Sequence, residues 1–173
     1  MKYIIDTDIG DDIDDAFALD LALKQGVDLV CVTTVFRNTR ERAQIAKRMC
    51  GLFGADVPVY AGYGDTLNGG MATNVRLCQW TPELEGYAPD NSEAEEAVDA
   101  ILNAARRYGQ GLTVLALGPL TNIARAIEKD AAAMRSIGGI IMMGGDFRNH
   151  YAEWNICCDA EAASLVFSSG VSV

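Results

Sequence analysis

The chain is punctuated by short apolar runs of strand length, separated by longer stretches with helical spacing. The first run covers residues 2–6. Residues 29–35, Leu-Val-Cys-Val-Thr-Thr-Val, are continuous and β-branched, as suits a parallel strand covered on both faces. Further runs fall at 58–61, 112–117 and 137–143. Between them, residues 14–25 are apolar nearly all round and stop at Gly26, a good helix terminator. Residues 39–53 repeat apolar side chains at 43, 46, 49, 50 and 53, which predicts a helix. Ser92 with Glu95 three residues on predicts a capping box. The helix it opens has an inward face of Ala94, Ala97, Val98, Ile101, Leu102 and Ala105. A sharp turn at 118–122 leads into another helix with Ile123, Ala124 and Ile127 inward, and Asp159 is expected to cap a helix over 160–168. Residues 170–173 read as the start of one more strand.

Strands thus alternate with helices. That order predicts an α/β fold: one domain over 1–173 with a mainly parallel, open sheet, right-handed crossovers and helices on both faces. The least regular stretch is 62–91, which holds Gly62, Gly64, Gly69, Gly70, Pro82, Gly86 and Pro89. A loop of that length is expected to be a lid or a binding segment, or to be disordered. In open α/β sheets ligands bind at the carboxyl ends of the strands. The polar residues of chemical interest fall there: 6–15 after the first strand, Asn38 after the second, 117–118 after a later one, and 144 onward after the last.

The stretch after the first strand changes the picture most. It packs six aspartates into ten residues, Asp6, Asp8, Asp11, Asp12, Asp14 and Asp15. Helix capping and the helix dipole account for Asp14 or Asp15. They do not account for Asp6 and Asp8, which continue an apolar strand. Carboxylates this close repel one another in a partly dry site unless a cation neutralises them, and hard divalent ions take oxygen ligands of this kind. Net charge is -10 over 173 residues, which disfavours nucleic acid and anionic membrane surfaces as partners. The five cysteines are irregularly spaced and there is one histidine, so reduced thiols are expected rather than a zinc site. The opening Met-Lys runs straight into a strand. No signal peptide is read there, and a cytoplasmic location is expected.

Five ordered segments together resemble the inosine-uridine-preferring nucleoside hydrolases. They are Asp6-Thr7-Asp8 through Asp14-Asp15-Ala16; residues 32–38, ending in Asn38; residues 57–62; residues 116–124, Ala-Leu-Gly-Pro-Leu-Thr-Asn-Ile-Ala; and Met143-Gly144-Gly145 with 152–156 and 159–163. The resemblance implies a Ca²⁺-dependent N-ribosyl hydrolase that splits a ribonucleoside, or another N-riboside, into free base and ribose. By position Asp8 matches the aspartate that ligates Ca²⁺ and acts as base, and Asp15 matches the second carboxylate ligand. Leu117 matches a ligand through its backbone carbonyl. Asp14 matches a ribose-hydroxyl contact, and Asn38, Glu153 and Asn155 match sugar contacts. Asp6 is expected to shape the turn from behind. A homo-oligomer is expected.

The chain departs from the family pattern in three places. The aspartate turn is two residues longer between Gly10 and Asp14-Asp15, which keeps Asp12 open for the role given to Asp14. The family's loop histidine has no counterpart; His150 is the one histidine, and Trp80, Phe147 and Tyr151 are candidates to stack on a base. Family members are also longer, and their last Ca²⁺ aspartate lies in a C-terminal part with no counterpart here. An N-terminal portion with an incomplete ligand set is therefore expected. Two other readings stand beside this one. An apolar strand followed by Asp-x-Asp also resembles haloacid-dehalogenase-type phosphatases, with Asp6 as nucleophile, Asp8 as acid and Mg²⁺ as the ion. The third reading is a non-catalytic paralogue that binds sugars or nucleosides.

Overall fold

A computed structural model describes residues 1–70, 76–149 and 151–173. Five parallel strands form one sheet in the order β3-β2-β1-β4-β5. They are β1 (Lys2–Thr7), β2 (Leu29–Thr34), β3 (Val59–Ala61), β4 (Leu112–Ala116) and β5 (Gly139–Met142). Six α-helices accompany them: α1 (Asp14–Lys24), α2 (Thr39–Leu52), α3 (Ala94–Tyr108), α4 (Thr121–Arg135), α5 (Trp154–Cys158) and α6 (Ala160–Ser168). The chain builds outward from β1 to β3, then crosses to the other side of β1 and builds outward again to β5. Right-handed crossovers therefore put α1 and α2 on one face and α3 and α4 on the other. The order reverses between β1 and β4, and such a switch point opens a crevice at the strands' carboxyl ends.

Register explains how the faces are filled. Cys31, Ile4, Val114 and Ile140 lie side by side across four strands and all point to the α3–α4 side, where each is buried. The neighbouring row is Val32, Ile5, Leu115 and Ile141. It is sealed by α1 and α2 at Val32 and Ile5, half-buried at Leu115, and 62% exposed at Ile141. The α1 side of β4 and β5 thus lacks the cover that the other face has.

Most predicted elements form within a residue or two of their expected bounds, and four differ for identifiable reasons. The capping box at α3 is built by Glu93 and Glu96, one residue later than predicted, with Ser92 donating its backbone N–H to Glu96 Oε1 at 3.0 Å. Helix α1 buries only Asp15, Leu19 and Ala22; Phe17 and Leu21 of its apolar surface are exposed. Helix α2 buries Arg42, Gln44 and Ile45 besides the predicted Ala43, Ala46 and Cys50, because it packs on both the sheet and the aspartate turn. Residues 170–173 do not form a strand, although Ile140 N–H donates to Ser172 O at 2.8 Å. All five cysteines are free. Among the described residues no helix is long and apolar enough to cross a membrane.

Candidate functional site

Backbone pairing brings the strand ends together. Leu117 N–H donates to Asp6 O at 2.8 Å, and Val35 N–H donates to Thr7 O at 3.0 Å, continuing the ladders just past β4 and β2. At this switch point lies a cavity of about 260 Å³. Asp8, Asp11, Asp12, Asp14 and Asp15 line one side, Phe36 and Arg37 a second, and Met143, Glu153, Trp154 and Asn155 a third. Asp8 also abuts the next strand end: a Cβ built on Gly118 would lie 2.7 Å from Asp8 Oδ1, so only glycine lets the carboxylate sit there.

Asp6 does not enter the cavity. It is fully buried, and its Oδ1 accepts from Thr33 Oγ1 at 2.6 Å and from Asn122 Nδ2 at 2.8 Å. Asn122 in turn accepts from Tyr63 N–H at 2.9 Å, tying β1 to α4 and to the segment after β3. Burial pushes the Asp6 carboxyl up to about 6 despite these bonds. Asp8 is pushed up to about 7, first by burial and then by the charge of Asp15. Burial also raises Asp15, against the hydrogen bond it accepts from Thr7 Oγ1.

The turn is held from behind by a residue that the sequence reading passed over. Arg42 is 0% exposed. Its Nε donates to Phe36 O at 2.8 Å and its Nη1 to Ile9 O at 3.0 Å and to Asp8 O. Its Nη2 pairs with Asp11 Oδ2 at 2.9 Å. One planar guanidinium thus fixes the carbonyls of two strand ends, which the fork of five donors on arginine can do and lysine cannot. Phe36 and Arg37 both adopt left-handed backbone conformations, with φ of 68° and 60°. Such conformations cost of order 1–3 kcal/mol each in residues other than glycine. They persist because Phe36 N–H donates to Tyr63 O at 2.9 Å and Arg37 N–H to Gly64 O at 2.8 Å. The bend turns Phe36 and Arg37 into the cavity. The one sequence signal for Arg42 is a charged residue beside the apolar positions of α2, and that is also how a solvated arginine reads.

Five of the predicted site residues meet in this cavity: Asp8, Asp14, Asp15, Glu153 and Asn155. Asp12 lines it as well. Asn38 does not; its Nδ2 donates to Glu41 Oε2 at 2.8 Å and it lines a neighbouring hollow with Trp80. The side chain of Leu117 is packed, and its carbonyl accepts from Asn155 Nδ2 at 2.7 Å. Asn155 Nδ2 also donates to Met143 O at 3.0 Å, so the amide nitrogen is committed to the frame. Glu153 caps α5, accepting from the N–H groups of Asn155 and Ile156 at 3.0 Å each.

The aromatic residues at the cavity are Phe36 and Trp154, not Trp80, Phe147 or Tyr151. Trp80 instead donates its Nε1–H to Gln44 Oε1 at 2.7 Å. His150 lies outside the described residues. The described part of 62–91 does not line the cavity but buttresses it, through Tyr63 and Gly64 and through Gln79 Nε2, which donates to Asp12 O at 2.6 Å.

Asp8, Asp15 and the Leu117 carbonyl are hard oxygen donors of the sort Ca²⁺ takes. Among the described residues no three carboxylate, histidine or cysteine side chains converge as a metal cluster. Asp8 and Asp15 line the cavity together, and the Leu117 carbonyl sits at the neighbouring strand end. A cation beside Asp8 and Asp15 would offset the cost of burying them and their mutual repulsion.

The family model described as inosine-uridine preferring nucleoside hydrolase matches residues 3–173. Uridine nucleosidase 1 of Arabidopsis thaliana is 35% identical, the match covering 99% of this chain and 54% of that protein. The pyrimidine-specific ribonucleoside hydrolase RihB of Escherichia coli strain SE11 is 34% identical over 98% of this chain and 57% of its own length. Among solved structures, a plant nucleoside hydrolase, PpNRh1, superimposes with a TM-score of 0.81 at 31% identity, covering 98% of this chain and 57% of that one. A purine-preferring ribonucleoside hydrolase from Gardnerella vaginalis gives 0.79 at 26% identity, over 99% and 58%. The chain spans a little over half the length of these relatives. A match from residue 3 to residue 173, on a sheet whose switch point holds the aspartate turn, makes this chain a member of the inosine-uridine preferring nucleoside hydrolase family.

Proposed function

We propose that this chain carries the ribose-binding and water-activating part of a ribonucleoside N-ribohydrolase, which cleaves the bond between base and ribose. The observation that carries the proposal is the meeting of Asp8, Asp14 and Asp15 with Glu153 and Asn155 in one cavity at the sheet's switch point. In this reading Asp8, Asp15 and the carbonyl of Leu117 would hold Ca²⁺, which would supply a Lewis acid for water and the sugar hydroxyls. Asp8, at the cavity wall against Gly118, accepts the proton of the attacking water. Asp14, with Asp12 beside it, accepts from ribose hydroxyls. Glu153 and Asn155 present oxygen to the sugar from the opposite wall while their positions are fixed by α5. Asn38 reaches the sugar only by exchanging its bond to Glu41. The carboxylate-rich wall stabilises the positive charge that builds on the ribose as the bond breaks.

The phosphatase reading needs Asp6 as nucleophile. Asp6 is fully buried behind the turn with Oδ1 already accepting two hydrogen bonds, so a phosphoryl group cannot reach it.

The test is ribose release from uridine and inosine with and without Ca²⁺. Wild-type protein is expected to release ribose with Ca²⁺ present, and Asp8→Asn to lower the rate by roughly 10²–10⁴-fold, the usual worth of a general base. Ca²⁺ is expected to raise the melting temperature of the wild type and not of Asp8→Asn. A Ca²⁺-dependent ribose complex without turnover would mark a binding paralogue, and normal turnover by Asp8→Asn would remove Asp8 as the base.

A further inference from the structure

Among the described residues, the cavity lining holds six carboxylates, Asp8, Asp11, Asp12, Asp14, Asp15 and Glu153, and one cation, Arg37. An arginine in such company ordinarily pairs with a carboxylate. Arg42, behind the same turn, does so with Asp11. Arg37 forms no ion pair among the described residues. Its Nε is buried without a hydrogen-bond partner, and its guanidinium lies 4.6 Å from the centre of the Phe36 ring. The backbone that aims it is left-handed at both 36 and 37 and is pinned by Tyr63 and Gly64. A Cβ on Gly64 would lie 2.4 Å from Arg37 O, so the pinning contact itself depends on a glycine. A strained backbone, a close approach and an unpaired donor thus combine to hold one positive charge in an acidic cavity.

Resting on the hydrolase reading, we infer that Arg37 is a catalytic residue that receives the departing base. When the bond between C1′ and the base nitrogen breaks, its electron pair stays with the base, which leaves as an anion. Water oxygen bonds to C1′ and gives its proton to Asp8. The base anion accepts hydrogen bonds from the Arg37 guanidinium, which offers donors and no acceptor. The base then takes a proton from solvent. The carboxylate wall cannot play this part, since it repels an anion. Arg37 is therefore the positive pole opposite the wall that stabilises the ribose cation, and the two charges that separate in the transition state each meet their complement.

The test compares two leaving groups. Uridine needs help to expel its base, whereas p-nitrophenyl β-D-ribofuranoside expels a stable anion unaided. Arg37→Met is expected to lower the ratio of kcat for uridine to kcat for the p-nitrophenyl riboside by about 10²-fold, the usual loss of a transition-state hydrogen-bond donor. Arg37→Gly is expected to lower it equally without lowering the melting temperature, because glycine adopts the left-handed backbone at no steric cost. Arg37→Lys is expected to fall between. A ratio unchanged in Arg37→Met and Arg37→Gly would overturn the assignment and leave Arg37 as a general counter-charge. Wild-type turnover of neither substrate would overturn the hydrolase reading instead. In that case equilibrium binding decides the role of Arg37. Titration calorimetry with 5-nitrouracil, anionic at neutral pH, is expected to show affinity about tenfold or more weaker in Arg37→Met than in wild type, with ribose affinity unchanged. Equal binding of 5-nitrouracil by both proteins would overturn the inference.

Discussion

On the strand side of the cavity, the aspartate turn is held by residues far away in sequence. Arg42 reaches back to Asp8, Ile9 and Asp11, while Thr33 and Asn122 hold Asp6, and Gln79 holds Asp12. Beyond the opposite wall, outside the cavity lining, residues 145–149 hold mostly one another. Asp146 accepts from the N–H groups of Arg148 and Asn149 at 2.8 Å, and Phe147 is 92% exposed. Among the described residues, Met143 N–H, bonded to Ala116 O, and Asn155, bonded to Leu117 O, anchor that wall to a distant part of the chain. Long-range bonds fix a geometry because many elements must move together to change it; local bonds let a loop shift as a unit. A wall that must not move suits an ion and a sugar, which are the same in every substrate.

The difference can be broken most severely at Arg42. Arg42→Met leaves three carbonyls and the half-exposed Asp11 without their donor, and is expected to lower unfolding free energy by about 2–4 kcal/mol in urea denaturation, chiefly from carbonyls left unbonded in a buried site. Arg42→Lys keeps the charge without the planar fork and is expected to recover only part of that loss. A loss no greater than that of a surface substitution would mean that the turn is stable without its clamp. On the locally bonded side, Glu153→Ala removes the cap of a single short helix. Its expected loss is about 1 kcal/mol, read from the same denaturation curves. Smallest of all, Phe147→Ala is expected to stay within about 0.5 kcal/mol of wild type. A larger loss there would show that the outer loop is packed against something, and would erase the contrast between the walls.

Asp6 and Asp8 stand two residues apart, and the sequence distinguishes them poorly. Both are aspartates continuing an apolar run. The fold makes Asp6 a buried strut and Asp8 a cavity wall, because Asp6 lies within β1 while strand pairing ends at Thr7 and the chain leaves the sheet at Asp8, turning at Gly10, where φ is 132°. Asn38 and Arg37 show the same limit from the other direction. Asn38, adjacent in sequence, was legible as a candidate from the family pattern, yet its side chain turns to Glu41. Arg37 carried no signal, and it lies in the cavity because residues 63 and 64, some two dozen positions onward, bend the backbone under it.

What the sequence by itself determined was local or periodic: five strands, the helices between them, the cap at Asp159, and a concentration of carboxylates after the first strand. Each of these follows from side-chain spacing or from the chemistry of a few neighbouring residues, which a linear chain displays directly. Tertiary structure alone decided which carboxylates meet, which are shut away, and that two arginines flank them, one as a clamp and one as a free charge. The physical reason is that hydrogen bonding and Coulomb forces act over a few ångströms in space. The partners of Asp6 and Asp8 are 27 to 116 positions distant along the chain, so no window of sequence contains them together.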